Sequence, residues 1–401
     1  MNNDLHEYLT KYFKGSIGEF EGQSVDIIPH FFDRFGVIVK IENDRYMFKY
    51  DMLACSFTRP ITKYCRGAIF QYKNSNWNCI CASMDKFHNH DESFSPIFTE
   101  QEFQNYFNQI ELKTKEDGSL LHIYMYNGEW TVSTSGAIIP HFANDSGIKF
   151  DELFWMTAKL DKKTFLSKLD PDCTHIFELC SKLNKVVSDY AFDRIYLLNI
   201  RNNKTGMYLP INDLANELQV LIPKSIFLYE LPVKTKEELT GWVESVCKDD
   251  EDCKIKEGYV GYINNKPSFK MKSQKYKFHH AFKGQNNNET RNHIVSAYFN
   301  NLLDDVYGSL HDHNKLFVES LRLKVLNCMT EVSNCVDGMK RKTFTNQKEY
   351  ALYVLENGPK QFSAFFFQNK EKIINQDSNI KEYFSDWLRT NYQKYDSYWK
   401  S

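Results

Sequence analysis

The stretch Lys115-Glu116-Asp117-Gly118-Ser119-Leu120 constrains this chain more than any other, because it sets a lysine, two acids and a glycine at the mouth of a β-hairpin. Leu121, Ile123 and Met125 then alternate with His122, Tyr124 and Tyr126, Asn127-Gly128 supplies the turn, and Trp130 to Ser135 returns. Residues two apart in extended backbone share a face, so Lys115 and Asp117 are expected to point into one pocket. Gly118 leaves space for a ligand to approach the backbone. A lysine fixed on such a sheet is either a solvated strand-end charge or a covalent nucleophile for an activated phosphate. The second role needs neighbouring cations or desolvation to favour the neutral amine.

Composition narrows the setting. The 401 residues suffice for two or three domains with sizeable cores. A net charge of -2 excludes a global pull toward nucleic acid, so any polyanion site has to come from local clustering. The ten cysteines include no Cys-x-x-Cys pair and read as reduced thiols. No apolar run reaches the roughly 20 residues needed to span a bilayer. Residues 1–13 carry charges and a helical Leu5, Leu9, Tyr12 stripe in place of a signal-peptide core. The expected location is the cytoplasm, or the host cytoplasm if the chain is viral, with no membrane partner.

Short strands are expected over 35–40, 45–50, 66–72 and 77–82, a connector and short helix over 96–109, and a single helix over 151–169. Cys65-Arg66-Gly67 places an arginine at a strand start, and Asp85-Lys86-Phe87 a lysine just after the next strand; both fit an anion pocket. His175-Ile176-Phe177-Glu178-Leu179-Cys180 is an apolar strand with one acid inside, which is costly unless Glu178 is paired, hydrogen-bonded or metal-linked. Structural partners for it would be Arg194 or Lys185. Glu257-Gly258-Tyr259-Val260 opens another strand, and in Phe269-Lys270-Met271-Lys272 the two lysines share the face opposite Phe269 and Met271. From Lys266 to Lys283 there are six lysines, two histidines and no acid, the clearest local attractor for anions.

In order, the elements CRGAIF, KEDGSL, IFEL, EGYVGY and FKMKS resemble the covalent nucleotidyltransferases, the superfamily of ATP-dependent nucleic-acid ligases and mRNA capping enzymes. Together with Leu197-Leu198-Asn199-Ile200-Arg201, Thr205-Gly206 and Arg341-Lys342-Thr343-Phe344, they make the chain most similar to the RNA ligase 1 family of bacteriophage tRNA-repair ligases, over essentially its full length. The resemblance implies ATP and Mg2+ as cofactors, with Mn2+ as a substitute. It implies sealing of RNA 3'-hydroxyl and 5'-phosphate ends, with tRNA as the expected substrate and functional coupling to a polynucleotide kinase-phosphatase. By motif, Lys115 becomes adenylylated; Asp117, Glu178 and Glu257 hold the nucleotide and a hydrated metal; Lys270 and Lys272 bind phosphates and promote pyrophosphate release. Arg66 and Lys86 contact phosphate or sugar, and Tyr50, Glu116, Gly118, Leu198, Val260 and Tyr276 match nucleotide-pocket positions.

Two departures stand out. The family carries lysines in the return strand of the hairpin where this chain has Val132-Ser133-Thr134-Ser135-Gly136, leaving Ser133 and Ser135 hydroxyls as substitutes. The aromatic residue expected after Lys86-Phe87 is His88.

The expected fold is α+β: an adenylyltransferase domain over 1–280, ATP-grasp-like, of antiparallel sheets with flanking helices, then an all-α domain over 281–401 with Gln285 to Asn288 as a polar hinge. Val318, Leu321, Val325, Met329, Val332 and Val336 mark a long amphipathic helix. The tail lacks the short alternating strands of an OB barrel, which disfavours a GTP-dependent capping guanylyltransferase or a DNA ligase. Retention of Lys115, Glu178, Glu257, Lys270 and Lys272 disfavours an inactive RNA-binding relative.

Overall fold

Alternation along the strands of the two five-stranded sheets sorts their side chains between apolar cores on the outer faces and a polar cavity within. The structure, a computed structural model, describes residues 3–52, 54–143, 147–184, 186–248, 250–281, 291–300, 303, 307, 312–374 and 380–400. Two compact units divide the chain: Met1–Ile27, Val39–Tyr50 and Ser56–Lys283 form the first, and Ile28–Ile38, Asp51–Cys55 and Gly284–Ser401 the second.

In the first unit, one five-stranded antiparallel sheet runs in the order Glu129–Thr134, Ser119–Tyr126, Cys173–Cys180, Arg194–Asn202, Tyr208–Leu209. Its outer face carries Leu121, Ile123, Phe177, Leu179 and Leu197, packed with Leu153, Phe154, Phe165, Ala215 and Leu218 from the short helices behind it. The neighbouring residues Leu120, Ile176 and Leu198 belong to a different cluster with Met84, Phe87, Val260 and Tyr262. The period of two therefore assigns alternate residues to opposite faces.

A second five-stranded sheet runs Ser225–Phe227, Ile110–Lys115, Gly258–Ile263, Lys266–Lys272, His88–Asn89, with only the last pair parallel. Its outer face packs Ile110, Leu112, Phe269 and Met271 onto Phe103, Leu239 and Val243 of helices Glu100–Tyr106 and Lys236–Val246. A four-stranded sheet, Val37–Glu42, Arg45–Tyr50, Arg66–Lys73, Asn76–Cys81, completes the frame. The architecture is α+β.

The helix expected over 151–169 is two helices, Phe150–Thr157 and Lys162–Leu166. Ala158 leaves helical geometry (φ -65°, ψ 137°), and Asp161 starts the second helix by accepting from Thr164 N at 3.0 Å. An N-terminal hairpin, Ile17–Phe20 with Gln23–Asp26, turns at Glu21-Gly22, both at positive φ, and was not anticipated.

In the second unit, Asp312–Lys340 buries Val318, Leu321, Val325, Val332 and Val336. Helices Gln347–Asn357, Ser363–Gln368 and Ile380–Asn391 add Tyr350, Phe365, Phe366, Phe384 and Leu388. The Gln285 to Asn288 hinge lies outside the described residues.

A buried ion pair ties the segment after Cys81 to the large sheet. The Asp85 carboxylate lies 2.7 Å from Arg201 Nη1 and 2.8 Å from Lys266 Nζ, and the Asp85 and Arg201 side chains are 4% and 5% exposed. Removing one partner of such a pair leaves an uncompensated charge. Arg201→Met is expected to destabilise the protein by about 3 kcal/mol, read as a fall in the urea midpoint.

Candidate active site

The inner faces of the sheets enclose a cavity of 440 Å³. The Ile110–Lys115 strand sends Lys113 and Lys115 into it while Ile110 and Leu112 face the core behind. Arg66 and Lys49 enter from the four-stranded sheet, Glu116, Gly118 and Glu178 from the other edge, and Leu198, Val260 and Tyr262 give apolar wall. Four cationic side chains against two acids leave an excess of two positive charges with both acids ionised. In a chain of net charge -2, this is the local clustering that a polyanion requires.

Lys115 is held by one carboxylate. Its Nζ donates to Glu257 Oε2 at 2.8 Å, and Lys272 Nζ lies 3.0 Å from Glu257 Oε1. Glu257 is 2% exposed, Lys272 7% and Lys115 22%, so Lys115 is the solvent-facing member of the trio. Sheet register produces this bridge: Gly258 pairs with Lys115 on one side and Lys272 on the other, and Glu257 precedes it. Gly258 adopts φ +146°, and a β-carbon there would run into Met271 O.

Glu178 faces the same space, with Oε1 accepting from Gly118 N at 3.0 Å. Its carboxyl is pushed up to about 7, chiefly by burial; Lys115 opposes the shift and Glu257 adds to it. Burial likewise raises the Glu116 carboxyl, against a hydrogen bond from Thr114 Oγ1 at 2.7 Å.

Several expected site residues lie elsewhere. Asp117 does not line the cavity: its Oδ2 accepts from Val187 N (2.8 Å) and Ser188 N (2.7 Å), and its Oδ1 from the Tyr276 hydroxyl (2.6 Å). Gly118 N takes Glu178, so the chain turns after Lys115 and the two-residue spacing does not deliver both side chains to one pocket. Tyr276 is 1% exposed and stacked on His280 and, like Asp117, outside the cavity lining.

Tyr50 and Lys86 are also outside that lining and meet beside Phe57, with Lys86 Nζ 5.2 Å from the Tyr50 ring and 4.9 Å from the Phe57 ring. Lys270 is outside it as well; Glu92, against the cost of burial, is held below its usual range by His88 and Lys270. Ser133 is fully buried against His122 (3.4 Å), so only Ser135 of the two serines reaches the cavity. The position after Phe87 is aromatic in effect: the His88 ring contacts Phe57 and Phe94 at 5.1 and 5.2 Å. Arg194 pairs with Asp252 at 3.0 Å rather than with Glu178, and Lys185 lies outside the described residues.

The acids do not converge as a metal cage. Among the described residues no group of three His, Cys, Asp or Glu side chains is placed to hold an ion. Asp117 accepts from Val187 N, Ser188 N and the Tyr276 hydroxyl, Glu257 is clamped between lysines, and Glu178 is the one of the three that lines the cavity. One carboxylate suits an ion such as magnesium, which keeps most of its waters and binds through substrate phosphates.

Lys49 and Lys113 are the charged wall residues that sequence reading missed. Lys113 was legible, since it sits two before Lys115 on the same strand face.

A profile of the family described as RNA ligase matches residues 64–287, more than half of the 401. The chain belongs to this RNA ligase family, within the nucleotidyltransferase superfamily. It is 29% identical over 300 residues to a candidate bifunctional polynucleotide kinase/RNA ligase of Autographa californica nuclear polyhedrosis virus, covering 72% of this chain and 40% of that protein. The chain thus spans less than half the length of that viral relative. It is 27% identical over 301 residues to a candidate RNA ligase of Thermovibrio ammonificans, covering 73% of each. Among solved structures, it is similar to an archaeal ATP-dependent RNA ligase (13% identical, covering 77% of this chain and 78% of that one, TM-score 0.43). A mutant Naegleria gruberi RNA ligase with ATP and Mn gives 15% identity, 69% and 82% coverage and a TM-score of 0.37.

Two measurements check the electrostatics. The folded carboxyl of Glu178, at about 7, lies above its ordinary 4.5, so the folded state holds this proton more tightly. Stability contributed by the protonated form is present below about pH 4.5 and is lost as pH rises through about 7. Glu178→Gln abolishes this titration, and its urea-denaturation stability relative to the parent should rise by on the order of 2–3 kcal/mol between pH 4.5 and pH 8. Asp117→Ala strips the acceptor from two backbone N–H groups at about 1–3 kcal/mol each, and limited proteolysis should cut the 181–193 segment faster than in the parent.

Proposed function

We propose that this chain is an ATP-dependent RNA ligase that joins 3'-hydroxyl and 5'-phosphate RNA ends through a lysyl-AMP intermediate on Lys115. The observation that carries the reading is the placement of Lys115 at a cation-rich cavity with its Nζ on buried Glu257 and Lys272 behind. The Lys115 ammonium first gives up a proton through Glu257 Oε2 to solvent, which leaves the neutral amine, and the second proton follows as the nitrogen–phosphorus bond forms. Lys115 Nζ then attacks the α-phosphorus of ATP, the phosphoramidate bond forms, and the bond to pyrophosphate breaks. Positive charge from the wall and Lys272 offsets the charge that accumulates on the leaving group. The RNA 5'-phosphate next displaces Lys115 from AMP to give AMP-capped RNA. Attack by the 3'-hydroxyl, which loses its proton to solvent, makes the phosphodiester and releases AMP.

Apolar Leu198 and Val260 suit the base, as expected from the motif resemblance. Glu178 would hold a divalent ion, Mg2+ or Mn2+, which supplies charge neutralisation at the phosphates when bound. In this reading residues 1–280 are the adenylyltransferase domain, and the helical 281–401 region recognises RNA, with tRNA repair as the setting. Arg341 and Lys342 are its basic candidates. The viral relative's name joins a kinase to a ligase, which supports a supply of 5'-phosphate ends by a polynucleotide kinase-phosphatase.

The test is end joining of a 5'-phosphorylated RNA with a free 3'-hydroxyl, with a DNA analogue alongside and with ATP or GTP. RNA joined with ATP, at least about a hundredfold faster than by Lys115→Ala, is expected from loss of a covalent catalyst. Joining of DNA alone, or dependence on GTP, would move the assignment to the DNA-ligase or capping class.

A further inference from the structure

The missing lysines of the hairpin's return strand raise the question of what faces the anion at Ser135-Gly136. The strands Arg45–Tyr50 and Arg66–Lys73 pair regularly until a bulge, where Phe48 pairs with Ala68 but Lys49 pairs with Arg66. Gly67 is the extra residue, at φ +91°, and a β-carbon on it would meet Ser135 O at 2.7 Å. The bulge therefore does two things: it seats the strand against the Ser135-Gly136 loop and re-aims two cations. Both Lys49 and Arg66 line the cavity. A β-carbon at Gly136 would lie 2.8 Å from Lys49 Nζ, so glycine there leaves the path of the lysine open. The loop itself is fixed: Lys40 Nζ donates to Gly136 O at 2.9 Å, and Thr134 Oγ1 accepts from Ala137 N at 3.0 Å.

Arg66 Nη1 is buried with no hydrogen-bond partner among the described residues, a costly condition for a guanidinium nitrogen. An anion beside it would supply that partner.

We infer that Lys49, set opposite Arg66 by the bulge and passed across Gly136, is a phosphate-binding residue that takes the terminal phosphates of the incoming nucleoside triphosphate. This rests on the adenylylation reading above. Lys115 and Lys272 stand on a different sheet from Lys49 and Arg66. A polyphosphate with its α-phosphate at Lys115 and its far end at the bulge would engage both sets at once. The cation absent from the return strand is thus supplied in space from a neighbouring sheet.

The test uses the full chain carrying Lys115→Ala, so that nucleotide is not consumed, and measures ATP and AMP dissociation constants by calorimetry with and without Lys49→Met. Loss of a charge-assisted phosphate contact should weaken ATP about tenfold and AMP less than about twofold, with Lys49→Arg keeping ATP within about threefold of the parent. Equal weakening of ATP and AMP, or no change in either, would overturn the role of Lys49 alone. A folded Lys115→Ala protein that binds neither nucleotide would overturn it together with the adenylylation reading. Unchanged thermal unfolding of Lys49→Met excludes a loss of fold as the cause.

Discussion

The Glu257 carboxylate, buried between two lysines, is the interaction on which the site depends. A carboxylate at 2% exposure is tolerable only with its charge compensated, and Lys115 and Lys272 provide that from the two strands flanking Gly258. The same contact holds the amine at the cavity edge. It also explains why the acid precedes a glycine: a side chain at 258 would collide with Met271 O and separate the strands that carry the lysines. Lys115, Glu257 and Lys272 are thus one electrostatic unit, carried by two strands and by the residue that opens the strand between them.

Around that unit, polarity follows from strand alternation. Each five-stranded sheet gives one face to an apolar core closed by helices and the other to the shared interior, so Lys113 and Lys115 can stand on a strand whose alternate residues Ile110 and Leu112 are fully buried. A rigid, two-sided scaffold of this kind suits phosphoryl transfer, in which positioning and charge stabilisation are the main demands. The positive excess of the cavity coexists with an overall charge of -2 because acids are concentrated elsewhere in the chain, as in Asp249-Asp250-Glu251-Asp252.

The fold class, the hairpin after Gly118, the lysine face of 270 and 272 and the helical tail were legible because each is a local pattern with a fixed period. Lys115, Glu178 and Glu257 were legible because charged residues in or at the mouth of apolar strands need a reason. Asp117 was misread since period-two reasoning assumes that the strand continues, whereas the chain turns and its carboxylate caps the backbone at 187 and 188. Tyr276 followed it into that structural role. Lys49 was invisible for a different reason: its direction is set by a one-residue bulge opposite Gly67, and no window of sequence reveals which strand a bulge will face. The break at Ala158 was likewise hidden, because Asp161 reads equally well as a helix surface residue or as a cap.

The central claim, that the Lys115 amine is the group that carries the nucleotide, is tested most directly by incubating the protein with ATP and a divalent ion and mapping the product by peptide mass spectrometry. The account predicts the mass of one AMP on the peptide containing Lys115, labile to acid and stable to base as a phosphoramidate is. AMP on any other residue, or none on a folded protein free of preloaded nucleotide, would contradict it.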